Sequence, residues 1–213
     1  MKHIDLDTLR SYERIYRGNL INSITGFKSA NLLGTISTEG TENLAIFSSV
    51  THLGSDPALF SFVQRPLGHG AGHTYYNLKE TGRLSLNHIP VSMVEKAHQT
   101  SAKYAAGISE ALQTGIETIY REGFTLPFVK AAAVQVAASY ESEYYLKEND
   151  CILVVCRITD IFIDPAIQHD DGWLDLGAAG TVAINGLDGY AAAQVKMRLS
   201  YAKTDRPVEK IWP

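Results

Sequence analysis

Cysteine is scarce in this chain of 213 residues, with Cys151 and Cys156 the only two. They stand five apart in what reads as one strand, so their side chains point to opposite faces and cannot bridge each other. A disulfide framework is excluded, and core filler in a reducing compartment is the expected role. A basic stripe is missing too. Lysine and arginine total 19 against 23 aspartate and glutamate, a net charge of −4 that offers no track for a line of phosphates, which argues against nucleic acid as a partner. No uncharged run approaches the roughly 20 apolar residues of a membrane span, and no membrane partner is expected. The opening residues, MKHIDLDTLRSYERIYR, carry charges throughout and lack the apolar core of a signal peptide, so a cytoplasmic location is expected. Internal repeats, low-complexity tracts and the G-x-S-x-G elbow of a serine hydrolase are also absent.

What the chain does have is β pattern. Asp7 to Tyr16 reads as a short amphipathic helix within an N-terminal helical extension, 1–24. Ala30 to Ser37 and Glu42 to His52 read as two strands joined by a turn through Gly40. Asp56-Pro57 breaks the run, because the residue before proline avoids helical angles and proline cannot donate into a ladder. Ala58 to Gln64 is then a third strand, and Arg65 to Gly72 a glycine-rich loop. Thr74 is expected to cap a helix through Glu80 that stops at Gly82, before a strand from Arg83 to Ile89. A helical excursion to Phe128 includes a piece opened by Ser109 and closed by Gly115. Ala133 to Leu146 and Cys151 to Ile163 form the strongest hairpin signal, the second of them apolar on both faces and therefore interior. The tail, 165–213, is expected to be mostly loop with one short strand or helix, packed on the main body. At least six strands linked by hairpins, with helices inserted, argue a mainly β antiparallel barrel over a βαβ sheet, and one domain over 1–213.

One segment carries chemistry. In Asn43 to Asn87 the loop GHGAG precedes a helix, so backbone N–H groups and the helix start could hold an anion such as a phosphate, with Arg65 and the Thr74 hydroxyl completing the grip. A plain connector whose threonine caps the helix fits the spacing equally well. A dinucleotide fingerprint is disfavoured, since His73 stands where its third glycine belongs and no βαβ unit surrounds it. His69 and His73 are four apart, but the glycines between them make a shared helical face, and hence a metal site, improbable. Ser48, Ser49, Thr51 and His52 cluster at a strand end, where they either face the edge of a planar heterocycle or simply solvate the strand. No catalytic acid, base or nucleophile is singled out.

The ordered series NLAIFSS, SDPALFSF, Arg65 with a loop ending in HTYYN, and a strand closing on Asn87 resembles the flavin reductase-like, FMN-binding split-barrel family, flavoredoxin-like proteins included. The excursion TSAKYAAGISEALQTG and the later GLDGY and RLSYAK extend the resemblance over most of 25–205. It implies a six-stranded antiparallel Greek-key split barrel, usually a homodimer, with FMN near the subunit interface. Ser48, Ser49, Val50 and Thr51 would then line the isoalloxazine edge, while Arg65, His73 and Thr74 would hold the ribityl phosphate. Where many relatives carry Asp-Thr at the loop end, this chain has His73-Thr74. The implied activity is hydride transfer from NAD(P)H to bound flavin and on to an acceptor. A non-enzymatic FMN carrier or sensor, or a relative of pyridoxamine-phosphate oxidase, would share the same barrel and cofactor.

Overall fold

The computed structural model describes residues 1–68 and 72–212. The single helix expected over Asp7 to Tyr16 is instead two, α1 (Leu6–Ser11) and α2 (Arg14–Ile24). Asp5 caps the first, accepting the Thr8 N–H at 2.8 Å, and the chain turns extended at Tyr12 (ψ 144°) before winding again.

Seven strands build the main sheet: β1 (Asn31–Ile36), β2 (Glu42–Phe47), β3 (Thr51–Ser55), β4 (Ala58–Gln64), β5 (Arg83–His88), β6 (Val134–Leu146) and β7 (Cys151–Ile163). All pairings are antiparallel, in the order β2-β1-β5-β6-β7-β4-β3, so β7 is interior as its two apolar faces require. The count exceeds the expected six because Glu42 to His52 does not remain one strand. It leaves β1 after Phe47 and pairs anew, from Thr51, with β4.

That break dictates the shape. β2 and β3 are consecutive in the chain yet lie at opposite edges of the sheet, joined only by Ser48-Ser49-Val50. With three residues between them, Phe47 and Thr51 can lie at most about 14 Å apart, so the sheet must curl until its two edges come close. Ser49 crosses the seam, its Oγ accepting the Val63 N–H of β4 at 3.0 Å. Among the described residues no ladder joins β2 to β3 or β4, and the curled sheet is left open there.

Alternation on β1 shows how both faces are covered. Leu33 is fully buried against Phe62, Leu84, Val136 and Val154, side chains of four other strands, which marks the concave side. Its neighbour Leu32, also fully buried, packs on the other face with Leu44, Ile89, Ala97 and Ile184. Three helices complete the covering: α3 (His73–Thr81), α4 (Val94–Gln99) and α5 (Glu110–Thr114), the last capped by the Ser109 hydroxyl and closed at Gly115. Thr74 is not the α3 cap that its position suggests. Gly72 holds that place with φ +99°, a backbone conformation that favours glycine. The helix ends at Gly82 as expected.

The tail is more ordered than its Gly, Ala and Asp content suggests, with four short strands. Val182–Asn185 and Gly189–Ala192 form a hairpin that pairs with Lys28–Ser29, and Arg198–Leu199 pairs with Lys210–Trp212. Rings of His169, Trp173 and Trp212 pack in tilted and edge-to-face pairs with centroids 5.0 to 6.1 Å apart, and the Arg198 guanidinium lies over Trp173 at 4.4 Å. Aromatic packing therefore ties the chain's end back to the segment after β7. Cys151 and Cys156 are both buried and free, and burial pushes the Cys156 thiol up to about 12.

At the end of β5, burial lowers His88 to about 4, and its Nδ1 has no hydrogen-bond partner among the described residues. The unfolded chain protonates near 6.5, so it gains a proton before the folded one does as the pH falls. Stability from this group is complete above pH 6.5 and is lost down to about 4, about 3 kcal/mol in all. The expected result is that His88→Leu flattens the fall in thermal midpoint between pH 6.5 and 4. Parallel melting curves for the two proteins across that range would refute it.

Candidate functional site

The seam and the first turn of α3 face one another across a cleft of about 640 Å³, inside the roughly 300–1,000 Å³ range of small-molecule sites. Of the residues singled out in the sequence, Ser48, Ser49, Arg65, His73 and Thr74 line it. Val50 and Thr51 do not. Val50 packs against the concave core and Thr51 opens β3 with its side chain exposed. The cleft thus joins the strand-end cluster to the loop-and-helix segment, which the sequence could place only in order along the chain.

The hydroxyl of Ser49 has a structural task. It accepts from the Val63 N–H and donates to the Val63 carbonyl at 3.4 Å, standing in for a missing ladder partner. What the seam offers a ligand is the backbone of Ser48 and Ser49, because the registers of both flanking ladders stop short of them. Polar main chain lining a cleft in this way is suited to the hydrogen-bonding rim of a planar heterocycle.

Thr74 is built differently. Its side chain is buried, and its Oγ1 accepts from Asn43 Nδ2 at 2.9 Å. The second proton of the same amide goes to Thr35 Oγ1 at 3.1 Å, which also accepts from Asn77 Nδ2 at 3.2 Å. These side chains are all buried, and the chain of bonds runs one way, from amide to hydroxyl. Because Thr74 accepts from Asn43, its own proton is left to donate. Asn43 lines the cleft as well. A fixed hydroxyl donor beside a helix start, with His73 and Arg65 on the same wall, is a set of groups that would hold an anion.

Opposite charge is present too. Glu110, in the first turn of α5, is buried in the cleft wall and accepts the Leu44 N–H through Oε2 at 3.1 Å. Burial holds its carboxyl above the usual range, against the pull of its own and the Leu44 backbone N–H groups and of His73. Thr100 fixes the neighbouring wall, accepting from the Ile46 N–H at 3.1 Å and donating to the Ala97 carbonyl at 2.7 Å. Glu110, Thr100 and the following residues through Tyr104 belong to the excursion TSAKYAAGISEALQTG. Nothing in the sequence marks these residues as part of a site, since no local spacing brings 100–110 to β2.

Two elements outside this series also reach the cleft. Asn22 comes from α2 and Leu187 from the tip of the tail hairpin. Among the described residues no group of three or more His, Cys, Asp or Glu is placed to hold a metal, and His69 lies outside the described residues. Among the described residues no helix is long and apolar enough to cross a membrane.

A family model described as the flavin reductase like domain matches residues 27–175. No curated protein matches the chain. Among solved structures, a candidate flavin reductase with a split barrel domain from Shewanella frigidimarina NCIMB 400 is 39% identical, with a TM-score of 0.91 over 95% of this chain and 100% of that one. Component B of nitrilotriacetate monooxygenase from Bacillus cereus is 18% identical, with a TM-score of 0.81 over 93% of this chain and 98% of that one. The 2-nitrobenzoate 2-nitroreductase of Pseudomonas fluorescens is also 18% identical, with a TM-score of 0.79 over 97% and 98%.

Proposed function

The chain belongs to the flavin reductase like domain family, and from that premise we propose that it binds FMN in the cleft and works as an NAD(P)H-dependent flavin oxidoreductase. The observation that carries the FMN assignment is the Thr74 hydroxyl, which Asn43 leaves with a proton to give at the start of a helix. A flavin lacking the phosphate would have no use for that donor. When bound, the flavin supplies the hydride chemistry, and the protein supplies orientation and electrostatics.

In this reading Thr74, His73 and Arg65 hold the phosphate, and the backbone of Ser48 and Ser49 meets the polar edge of the ring. Glu110, whose carboxyl burial holds above the usual carboxylate range, accepts from ribityl hydroxyls. A homodimer in the cytoplasm, formed over the hairpin where Tyr144 and Tyr145 are exposed, belongs to the same proposal.

Purified protein loaded with FMN should be yellow, and the colour should bleach anaerobically when NADH or NADPH is added. A protein that takes up no flavin would sink the reading, whereas one that stays yellow would be a carrier. Thr74→Val tests the grip itself. It is expected to weaken FMN by roughly tenfold, the worth of one hydrogen bond to a charged group, and to leave riboflavin within about threefold. Equal losses for the two ligands would remove Thr74 from the phosphate.

A further inference from the structure

The outer edge of β2 meets no strand among the described residues, yet its main-chain donors are not left to water. The Leu44 N–H goes to Glu110 Oε2 at 3.1 Å, and the Ile46 N–H goes to Thr100 Oγ1 at 3.1 Å. In an antiparallel ladder, residues alternate between facing the partner and facing away, so Leu44 and Ile46 face outward while Asn43, Ala45 and Phe47 face β1. Side chains at the start of α5 and the end of α4 thereby stand in for a missing neighbour strand. Both are buried, and the Thr100 hydroxyl proton is already given to the Ala97 carbonyl, so Thr100 acts on the cleft only through β2.

The alternation leaves one outward pair unfilled. A residue that turns its N–H away from the ladder turns its carbonyl the same way, so the Ile46 carbonyl also points outward. The trans peptide that aims the Phe47 carbonyl at β1 aims the Ser48 N–H away from it, about 7 Å beyond the Ile46 donor. That N–H has no hydrogen-bond partner among the described residues, and both Ile46 and Ser48 line the cleft. An acceptor and a donor thus stand side by side, complementary to a ring edge that carries an N–H next to a C=O, as a cyclic imide does. The flavin of the reading given above has such an edge at N3–H and its flanking carbonyls, and the inference rests on that reading. We propose that Thr100 and Glu110 are positioning residues, holding the β2 edge so that the Ile46 carbonyl and the Ser48 N–H read the imide edge of the flavin ring.

The test is a ratio of affinities, riboflavin over 3-methylriboflavin, measured by fluorescence titration for wild type, Thr100→Val, Thr100→Ser and Glu110→Leu. The two ligands share one ribityl chain and are both uncharged. Contacts of Glu110 with that chain, and of Arg65, His73 and Lys103, the cationic groups lining the cleft, therefore cancel in the ratio. Wild type should prefer riboflavin about tenfold, the worth of one hydrogen bond that methylation of N3 removes. Thr100→Val and Glu110→Leu each delete an acceptor for the β2 edge and should bring the ratio within about threefold, whereas Thr100→Ser keeps the acceptor and should keep the wild-type ratio. A change that merely loosens the fold weakens both ligands alike and leaves the ratio where it was. Should Thr100→Val melt below the assay temperature, Glu110→Leu carries the same comparison. Equal binding of the two flavins by wild type, or a wild-type ratio in the acceptor-deleted variants, overturns the inference and leaves the FMN reading standing. Failure of the wild type to bind any flavin overturns both.

Discussion

Replacing Asn43 by aspartate should weaken FMN binding by about one hundredfold and riboflavin by less than tenfold. The asymmetry follows from the direction of the hydrogen bonds. The Asn43 amide gives one proton to Thr35 and one to Thr74, at 3.1 and 2.9 Å, and a carboxylate has neither to give. Thr74 would then turn its hydroxyl proton toward the new acceptor, and the cleft would lose a donor without losing the threonine. A buried negative charge would also stand near the bound dianion. A lost charge-assisted bond of roughly 1.5–3 kcal/mol together with that repulsion gives the expected factor.

Asn77→Leu provides the control. It removes a bond to the same Thr35 hydroxyl, at 3.2 Å, from a residue that does not line the cleft. It should cost about 1–2 kcal/mol of stability and leave the preference for FMN over riboflavin unchanged. Fluorescence titrations with both flavins, run beside melting curves, separate the cases. If Asn43→Asp lowered both affinities alike, the residue would be a structural tie and the donor argument would fail.

The sequence made the hairpins and the site's order legible, and it failed where long-range pairing decides. Lys147 to Asp150 joins β6 to β7, because turn residues stand between two long β-rich runs and Asp150 takes the left-handed φ of +57°. Ser109 and Gly115 frame α5 for equally local reasons. The run from Glu42 to His52, by contrast, has β pattern throughout, and nothing local says that its two halves pair with strands at opposite edges. Only the curling of the whole sheet makes that break, and the break creates the seam. For the same reason Ser49 reads as a ligand-facing hydroxyl in the sequence but is held by Val63 in the fold. Thr74 shows the reverse. Its cap position is already filled by Gly72, while its reach to the cleft depends on Asn43, thirty-one residues away. Asn22 and Leu187 carry no signal of their own, since each reaches the cleft from a segment with weak periodicity.

Gly34→Ala should cost about 3 kcal/mol or more and lower the thermal midpoint by roughly 10 °C, the largest stability loss expected from one added methyl group. Gly34 lies mid-strand in β1, where glycine is ordinarily a weakness. Here it makes room: an added Cβ would lie 2.6 Å from the Pro127 carbonyl and would also strike the Ser85 hydroxyl, which donates to that carbonyl at 2.5 Å. The carbonyl belongs to backbone, so a rotamer change cannot relieve the contact. Either the Pro127 segment lifts off the sheet or β1 shifts, and β1 carries Thr35, the residue on which the Asn43 and Asn77 bonds converge. FMN affinity should therefore fall together with stability. Adding Ser85→Ala removes the hydroxyl clash but not the carbonyl one, so the double variant should recover only part of the loss, a non-additivity that melting curves of the four proteins can measure. A Gly34→Ala protein melting within about 2 °C of wild type would show that the Pro127 segment yields freely, and the close approach would then have no part in fixing β1 under the cleft.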